Sequence, residues 1–110
     1  MRALDTNILV RFLVGDDEQQ SAKVRRLFSI CEDMNECLFV SSTALLETIC
    51  VLESAYECPR SAIIQAVKRL SNMTLLLFED KAWLEDFLLV AQNSTFDLSD
   101  LLIAYKARGM

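Results

Sequence analysis

Helical and strand-like spacings of apolar residues alternate along the chain. In six segments the apolar residues recur every three or four positions, which places them on one face of an α-helix. These predicted helices are 7–14, 18–31, 44–57, 62–70, 81–92 and 98–108. Three short segments, 2–4, 38–40 and 74–78, are predicted to be strands because they are mostly apolar and end at polar, turn-forming residues.

This alternation indicates an α/β fold, in which helices cover both faces of a central parallel sheet. With 110 residues the chain supports a single domain, residues 1–110, that is large enough to bury a core. A hydrophobic fraction of 53% and a charged fraction of 25% are typical of a globular protein. Three strands against six helices is a low strand count for such a sheet.

The charge balance narrows the classes of function. A net charge of −5 argues against nucleic-acid binding through a generally basic surface. It does not argue against a nuclease, because carboxylates that hold a cation themselves add negative charge. The chain has no histidine, which excludes imidazole-based acid–base catalysis and most structural zinc sites.

The spacing of the cysteines and the composition of the first residues indicate the cellular compartment of the protein. Cys31, Cys37, Cys50 and Cys58 include no C-x-x-C pair, and we expect free, mostly buried thiols in a reducing cytoplasm. The first residues do not resemble a signal peptide. No segment reaches the roughly 18 apolar residues of a membrane helix, so a soluble cytoplasmic protein without membrane contact is expected.

Asp5 directly follows the first predicted strand. Parallel strands end at one edge of their sheet, and the ligands of such sheets bind beyond that edge. Asp5 is therefore a candidate ligand-binding residue. The alternative interpretation is that Asp5 or Thr6 only caps the helix that begins near Asn7, a frequent role of aspartate.

Glu47 lies in the most apolar of the predicted helices, and its neighbours three and four positions away are small and largely apolar. A carboxylate on an apolar face loses hydration, which is costly unless a partner compensates for it. We therefore expect a functional role for Glu47, with a cation as the compensating partner. Glu53 and Glu57 are expected to be ordinary surface residues.

Asp97 and Asp100 stand at the start of the last predicted helix. Their spacing fits a capping box, with Asp97 as the N-cap and Asp100 at the third helical position. The same spacing places two carboxylates on one helix face, where they repel each other unless a cation relieves the repulsion. These two residues can both cap the helix and bind a metal ion.

Together, Asp5, Glu47, Asp97 and Asp100 offer the carboxylate oxygens that Mg²⁺ and Mn²⁺ prefer. A cation held in this way lowers the pKa of a bound water, directs the water at phosphorus and neutralises charge on the leaving oxygen. Such cleavage of a phosphodiester needs no histidine. The four acids are therefore predicted to be both the metal ligands and the catalytic residues of one site.

Three segments resemble motifs of the PIN-domain family, above all of the VapC-type toxins of bacterial toxin–antitoxin pairs. They are L-D-T-N-I-L-V-R-F-L at 4–13, L-L-E at 45–47 followed by V-L at 51–52, and D-L-S-D-L-L-I-A at 97–104. The order and spacing of the three segments match the family, and the resemblance extends over the whole chain.

The resemblance implies a single PIN-like domain with three layers, a central parallel sheet flanked by helices, and a Mg²⁺-dependent endoribonuclease activity on RNA. It also implies a toxin that usually forms homodimers and is neutralised by a small antitoxin protein. The family continues beyond a segment similar to 107–110 into two more strands. The resemblance therefore implies that the last strands of the fold are missing from these 110 residues.

For the site, the resemblance implies that Asp5, Glu47 and Asp100 bind the metal ion and that Asp97 is an auxiliary acid. It further implies that the side chain of Thr6 or Asn7 orients the Asp5 carboxylate without binding the metal ion itself.

Two other functions remain open from the sequence. A truncated or degenerate PIN domain would bind RNA or a partner protein without cutting. A different Mg²⁺-dependent phosphatase or phosphotransferase is the other, but the 2 glycines of the chain leave no glycine-rich phosphate loop. Lys23, Arg25 and Arg26 are basic enough to contact RNA phosphates, although such a short charge run is usually a solvated helix face.

Overall fold

A computed structural model describes residues 2–94 and 97–108, in which short strands alternate with helices. The strands are β1 (Arg2–Ala3), β2 (Leu38–Val40) and β3 (Leu76–Phe78). The helices are α1 (Thr6–Val14), α2 (Glu18–Asp33), α3 (Ser42–Ser54), α4 (Arg60–Ser71), α5 (Lys81–Gln92) and α6 (Leu98–Arg108).

The three strands form one parallel sheet in the order β1-β2-β3. In its register Ala3 pairs with Phe39, and Phe39 pairs with Leu77. Since the strands are parallel, their carboxyl ends meet at one edge of the sheet, and α1, α3 and α5 begin just beyond that edge. The predicted α/β fold with a parallel sheet is confirmed.

Short polar residues and one glycine set where the first helices begin and end. The Asp17 carboxylate caps α2 by accepting hydrogen bonds from the backbone N–H groups of Gln19 and Gln20, at 3.1 and 3.2 Å. Gly15 ends α1 with a left-handed φ of 67°, a conformation that glycine adopts without a steric penalty. The structure therefore confirms the predicted break between the first two helices.

Helix α3 is shifted and shortened relative to the predicted helix at 44–57. It begins earlier because the Ser41 hydroxyl accepts a hydrogen bond from the Ala44 N–H at 3.0 Å, which caps the helix at Ser41. It ends earlier because the chain turns back: the Cys58 N–H donates to the Leu52 carbonyl at 2.9 Å. Glu57, predicted inside the helix, has a left-handed φ of 51°.

The core lies between the sheet and the helices, with α3 at its centre. Helix α3 packs against α1, α4 and α6, and Ile49 on α3 has no exposed surface. Other fully enclosed side chains come from every layer, among them Leu9, Leu38, Leu70 and Phe87. Burial of such side chains contributes roughly 1.5–3 kcal/mol each, so apolar packing is the main force that fixes α3 in place.

The cover of the sheet is thinner at β3 than predicted. Along β3 the residues alternate between buried Leu76 and Phe78 and exposed Leu77, whose surface is 47% accessible. The exposed side chain of Leu77 shows that one face of β3 meets solvent at this position. The prediction of helices on both faces therefore does not extend to this strand.

The four cysteines form no disulfide in the structure, and most of them are not buried. Cys31 is buried, Cys58 is half-buried, and Cys37 and Cys50 are exposed. The prediction of mostly buried thiols is therefore wrong. In the part of the chain that the structure describes, no helix is long and apolar enough to cross a membrane.

Candidate active site

An open cleft of about 760 Å³ lies at the carboxyl edge of the sheet, between the start of α1 and the side of α3 that extends as far as Val51. The side chains used below all line it: Asp5, Thr6, Asn7, Glu47, Cys50 and Val51. The cleft exists because β1 and β2 are parallel neighbours, so the two helices that follow them start side by side. This is the position at which sheets of this kind bind ligands.

Asp5 combines the two roles that the sequence left open. Its Oδ1 accepts a hydrogen bond from the Ile8 N–H at 2.9 Å and so caps α1. The residue is exposed and lines the cleft. Within the described residues no hydrogen bond engages its Oδ2, so this oxygen is available to a ligand.

Glu47 lies in the same cleft, but on the exposed side of α3 and not on its buried side. The buried side of α3 is formed by other residues, among them Leu45 and Ile49, and Glu47 is exposed. The prediction that Glu47 is desolvated is therefore wrong, because residues on neighbouring helices decide which side of a helix is buried. Its predicted place beside Asp5 does not depend on that argument, since both residues line one cleft.

Thr6 connects the two helices at this point. Its hydroxyl donates a hydrogen bond to Oε2 of Glu47 at 2.8 Å, across 41 positions of sequence. A hydrogen bond to a carboxylate is stronger than one between neutral groups and fixes the direction of the accepting oxygen. The resemblance implied that Thr6 or Asn7 orients Asp5; in the structure the Thr6 hydroxyl donates to Glu47, the other acid of the cleft.

Asp97 and Asp100 stand at the start of α6, as predicted. Oδ1 of Asp97 accepts a hydrogen bond from the Asp100 N–H at 3.1 Å, which is the predicted N-cap. Both residues are exposed, and neither is among the described residues that line the cleft. Across residues 2–94 and 97–108, no three acidic or cysteine side chains lie close enough together to hold a metal ion.

Glu79 is an acidic residue at this edge that the sequence did not single out. It follows β3 directly, and its Oε1 accepts a hydrogen bond from the Ser42 N–H, the first of α3, at 3.0 Å. A carboxylate at a helix N-terminus satisfies a free donor and matches the helix dipole. The signal was its position after a strand, the same signal that identified Asp5.

The donor atoms in the cleft fit Mg²⁺ or Mn²⁺. Mg²⁺ in proteins is usually held by one or two carboxylates, and water and substrate phosphate complete its shell. Asp5 and Glu47 supply two carboxylates, and Thr6 adds a hydroxyl oxygen beside them. Cys50 is the soft donor among these cleft residues, and Mg²⁺ does not favour sulfur.

The comparisons with known proteins agree with the fold. The PIN domain family model matches residues 2–109, and the chain belongs to this family. The resemblance seen in the three motifs is therefore confirmed. The chain is also 27% identical to a VapC ribonuclease from Aquifex aeolicus (strain VF5), over 110 residues that make up all of this chain and 81% of that protein. No solved structure matches the chain significantly.

Proposed function

We propose that this chain is a Mg²⁺- or Mn²⁺-dependent endoribonuclease and the toxin of a type II toxin–antitoxin pair. Membership of the PIN family and the similarity to a VapC ribonuclease support a nuclease role at the level of the family. One structural observation carries the proposal for this chain: Asp5 and Glu47, 42 positions apart, face one open cleft, and Thr6 fixes the second acid.

In this proposal Asp5 and Glu47 hold the metal ion in the cleft. When bound, such an ion activates a water for attack on phosphorus and stabilises charge on the leaving oxygen. Asp5 contributes Oδ2 while Oδ1 stays on the helix cap, so the residue is held rigidly. Glu47 contributes a carboxylate whose direction the Thr6 hydroxyl sets. The openness of the cleft to solvent gives a single strand of RNA access to both acids.

We extend the proposed ligand set to Asp97 and Asp100. Both carboxylates are exposed at the first turn of α6, and α6 packs against α3, the helix that carries Glu47. In the proposal Asp100 is the third metal ligand and Asp97 an auxiliary acid that also caps the helix. Asp100→Asn is accordingly expected to weaken metal binding more than Asp97→Asn does, because Asp100 is the proposed ligand. Asparagine at position 97 still caps the helix, so Asp97→Asn leaves the start of α6 in place.

The partners in the proposal are RNA as substrate, a small antitoxin protein and a second copy of the chain in a homodimer. We place the reaction in the cytoplasm. Four cysteines that form no disulfide suit a reducing compartment, where thiols are not oxidised.

Metal binding gives the first test. A ligand that binds only the native state stabilises it, by about 2.7 kcal/mol when present at a hundredfold excess over its Kd. Mn²⁺ is therefore expected to raise the Tm of the protein, and Glu47→Gln to reduce that rise and the rate of RNA cleavage together. The measurements are thermal unfolding with and without Mn²⁺, and cleavage of single-stranded RNA.

Glu85→Gln is the matched control, since Glu85 is an exposed glutamate on α5 outside the cleft. It should leave both the Mn²⁺-induced rise and the cleavage rate as in the wild type. If the wild-type protein binds RNA but never cuts it in Mn²⁺, the chain is a binding module and the enzyme proposal is wrong. Hydrolysis of small phosphate esters without cleavage of RNA would indicate a phosphatase instead.

Thr6 gives the second test. Thr6→Val keeps the shape of the side chain and removes the donor to Glu47, so the carboxylate loses its fixed direction. Loss of such a supporting contact typically costs about 10- to 100-fold in metal affinity or activity. We expect a loss of that size in Mn²⁺ affinity, measured by isothermal titration calorimetry. Thr6→Ser retains the hydroxyl and should restore most of the affinity; equal affinities for the two variants would refute the role.

A further inference from the structure

A second cluster of side chains lies where α1 and α3 end, outside the lining of the cleft, and has no part in the chemistry described above. It consists of Arg11 near the end of α1, Asp16 in the turn after α1, and Tyr56 in the turn after α3. The Tyr56 hydroxyl donates a hydrogen bond to Oδ2 of Asp16 at 3.2 Å, across 40 positions of sequence. This bond joins the turns that follow α1 and α3, the two helices that border the cleft.

The cluster adjoins the cleft along both helices. On α1, Asn7 lines the cleft, and Arg11 lies four positions further on, about one turn along the same face. On α3, Val51 lines the cleft, and its carbonyl accepts a hydrogen bond from the Tyr56 N–H at 3.3 Å. A polymer that enters the cleft at the acids and follows the two helices therefore reaches Arg11 and Tyr56 next.

Tyr56 presents an aromatic ring to solvent with its hydroxyl held in place. The residue is 39% exposed, and it is one of a few large hydrophobic side chains at the surface of the described residues. Loss of hydration on one side and the Asp16 carboxylate raise the pKa of the hydroxyl, while the nearby Arg11 guanidinium acts in the opposite direction. At neutral pH the hydroxyl therefore remains a neutral donor, and the ring is uncharged.

Arg11 is an exposed cation beside a cleft in a protein of net charge −5. Other arginines have different surroundings: Arg2 and Arg25 form ion pairs with glutamates at 3.9 and 3.0 Å, and Arg69 lies over an aromatic ring on α1 at 5.0 Å. An acidic nuclease needs local positive charge where the phosphate backbone runs. Arginine supplies it with the fork-shaped geometry that matches phosphate oxygens.

We propose that Arg11 and Tyr56 form a subsite for the part of the RNA strand next to the cleavage point, with the guanidinium on a phosphate and the ring stacked on a base. The inference rests on the proposed function, since it takes RNA as the polymer in the cleft. Asp16 holds the ring through its hydrogen bond and leaves the faces of the ring to the base. Stacking of this kind tolerates any base, so the subsite adds affinity without strict sequence selection.

The test is the affinity for a fluorescein-labelled single-stranded RNA, measured by anisotropy in EDTA so that no cleavage occurs. Tyr56→Ala and Arg11→Gln are each expected to weaken binding roughly tenfold or more, as loss of a stacked base or a phosphate contact does. Tyr56→Phe keeps the ring and should bind nearly as the wild type does. The control is Lys68→Gln, which removes an exposed cation from α4, away from the cleft, and should leave the affinity unchanged.

The outcomes separate the subsite from the enzyme proposal. If Tyr56→Ala and Arg11→Gln bind RNA as the wild type does, or if the wild type does not bind RNA in EDTA, the subsite is wrong. If Tyr56→Phe loses as much affinity as Tyr56→Ala and both lower the Tm, Tyr56 is only a clamp between two turns and the subsite is again wrong. A wild type that binds RNA through these residues, yet cuts neither RNA nor bis(4-nitrophenyl) phosphate in Mn²⁺, overturns the enzyme proposal and supports the subsite.

Discussion

Replacement of Asp5 by asparagine is expected to reduce Mn²⁺-dependent RNA cleavage by more than about 100-fold while the fold stays intact. The loss follows from the proposed role of Oδ2. Removal of a residue that only supports a metal ligand typically lowers metal affinity or activity by roughly 10- to 100-fold, and Asp5 is proposed to be a ligand itself. The fold survives because asparagine caps helices as well as aspartate does, so the bond from the Ile8 N–H is kept.

The experiment combines RNA cleavage with thermal unfolding in Mn²⁺. For Asp5→Asn, the Mn²⁺-induced rise in Tm should disappear, and the Tm without metal should match that of the wild type. Asp33→Asn, at the exposed end of α2, is the control and should change neither quantity. A fully active Asp5→Asn protein would remove Asp5 from the site and, with it, the basis of the proposed mechanism.

The largest loss of stability is expected from Ile49→Ala. Ile49 has no exposed surface and lies on α3, which packs against three other helices. Its truncation removes buried apolar contacts and leaves a cavity that the surrounding helices cannot fully close. Substitutions of this kind typically destabilise a protein by roughly 2–5 kcal/mol, a large part of the stability of a small domain. Urea unfolding of the metal-free protein measures the change.

Ile30→Ala is the matched control for the core. The same side chain is truncated, again in a helix, but Ile30 is 49% exposed on α2. Its removal should change the free energy of unfolding by no more than roughly 0.5 kcal/mol. Equal destabilisation by the two substitutions would mean that the packing around α3 is not what holds the domain together.

The sequence predicted the parts of the fold that local patterns determine. Strand β2 lies at its predicted residues, 38–40, and Gly15 ends the first helix where the sequence places a break. Asp97 caps α6 because its partner, the Asp100 N–H, is three residues away. Each of these features depends on neighbours within one helical turn or one strand, and such neighbours can be read from the sequence directly.

Non-local contacts explain what the sequence did not predict. The face of α3 that is buried depends on α1, α4 and α6, none of which is visible in the spacing around Glu47, so an exposed residue was predicted to be desolvated. The partner of Thr6 is 41 positions away, and no local pattern connects the two. The end of α3 depends on the turn from Leu52 to Cys58, which no glycine or proline marks in advance.

The acids of the cleft and the apolar core occupy different faces of the same helices. Glu47 and Ile49 are two positions apart on α3, yet one is exposed and the other has no exposed surface. Selection can therefore act on the chemistry and on the architecture almost independently. Under the proposed mechanism, a single inherited substitution at Asp5 or Glu47 would yield a folded but inactive protein instead of no protein. Such an allele would still compete for every partner that recognises the surface, and so would behave differently from a deletion of the gene.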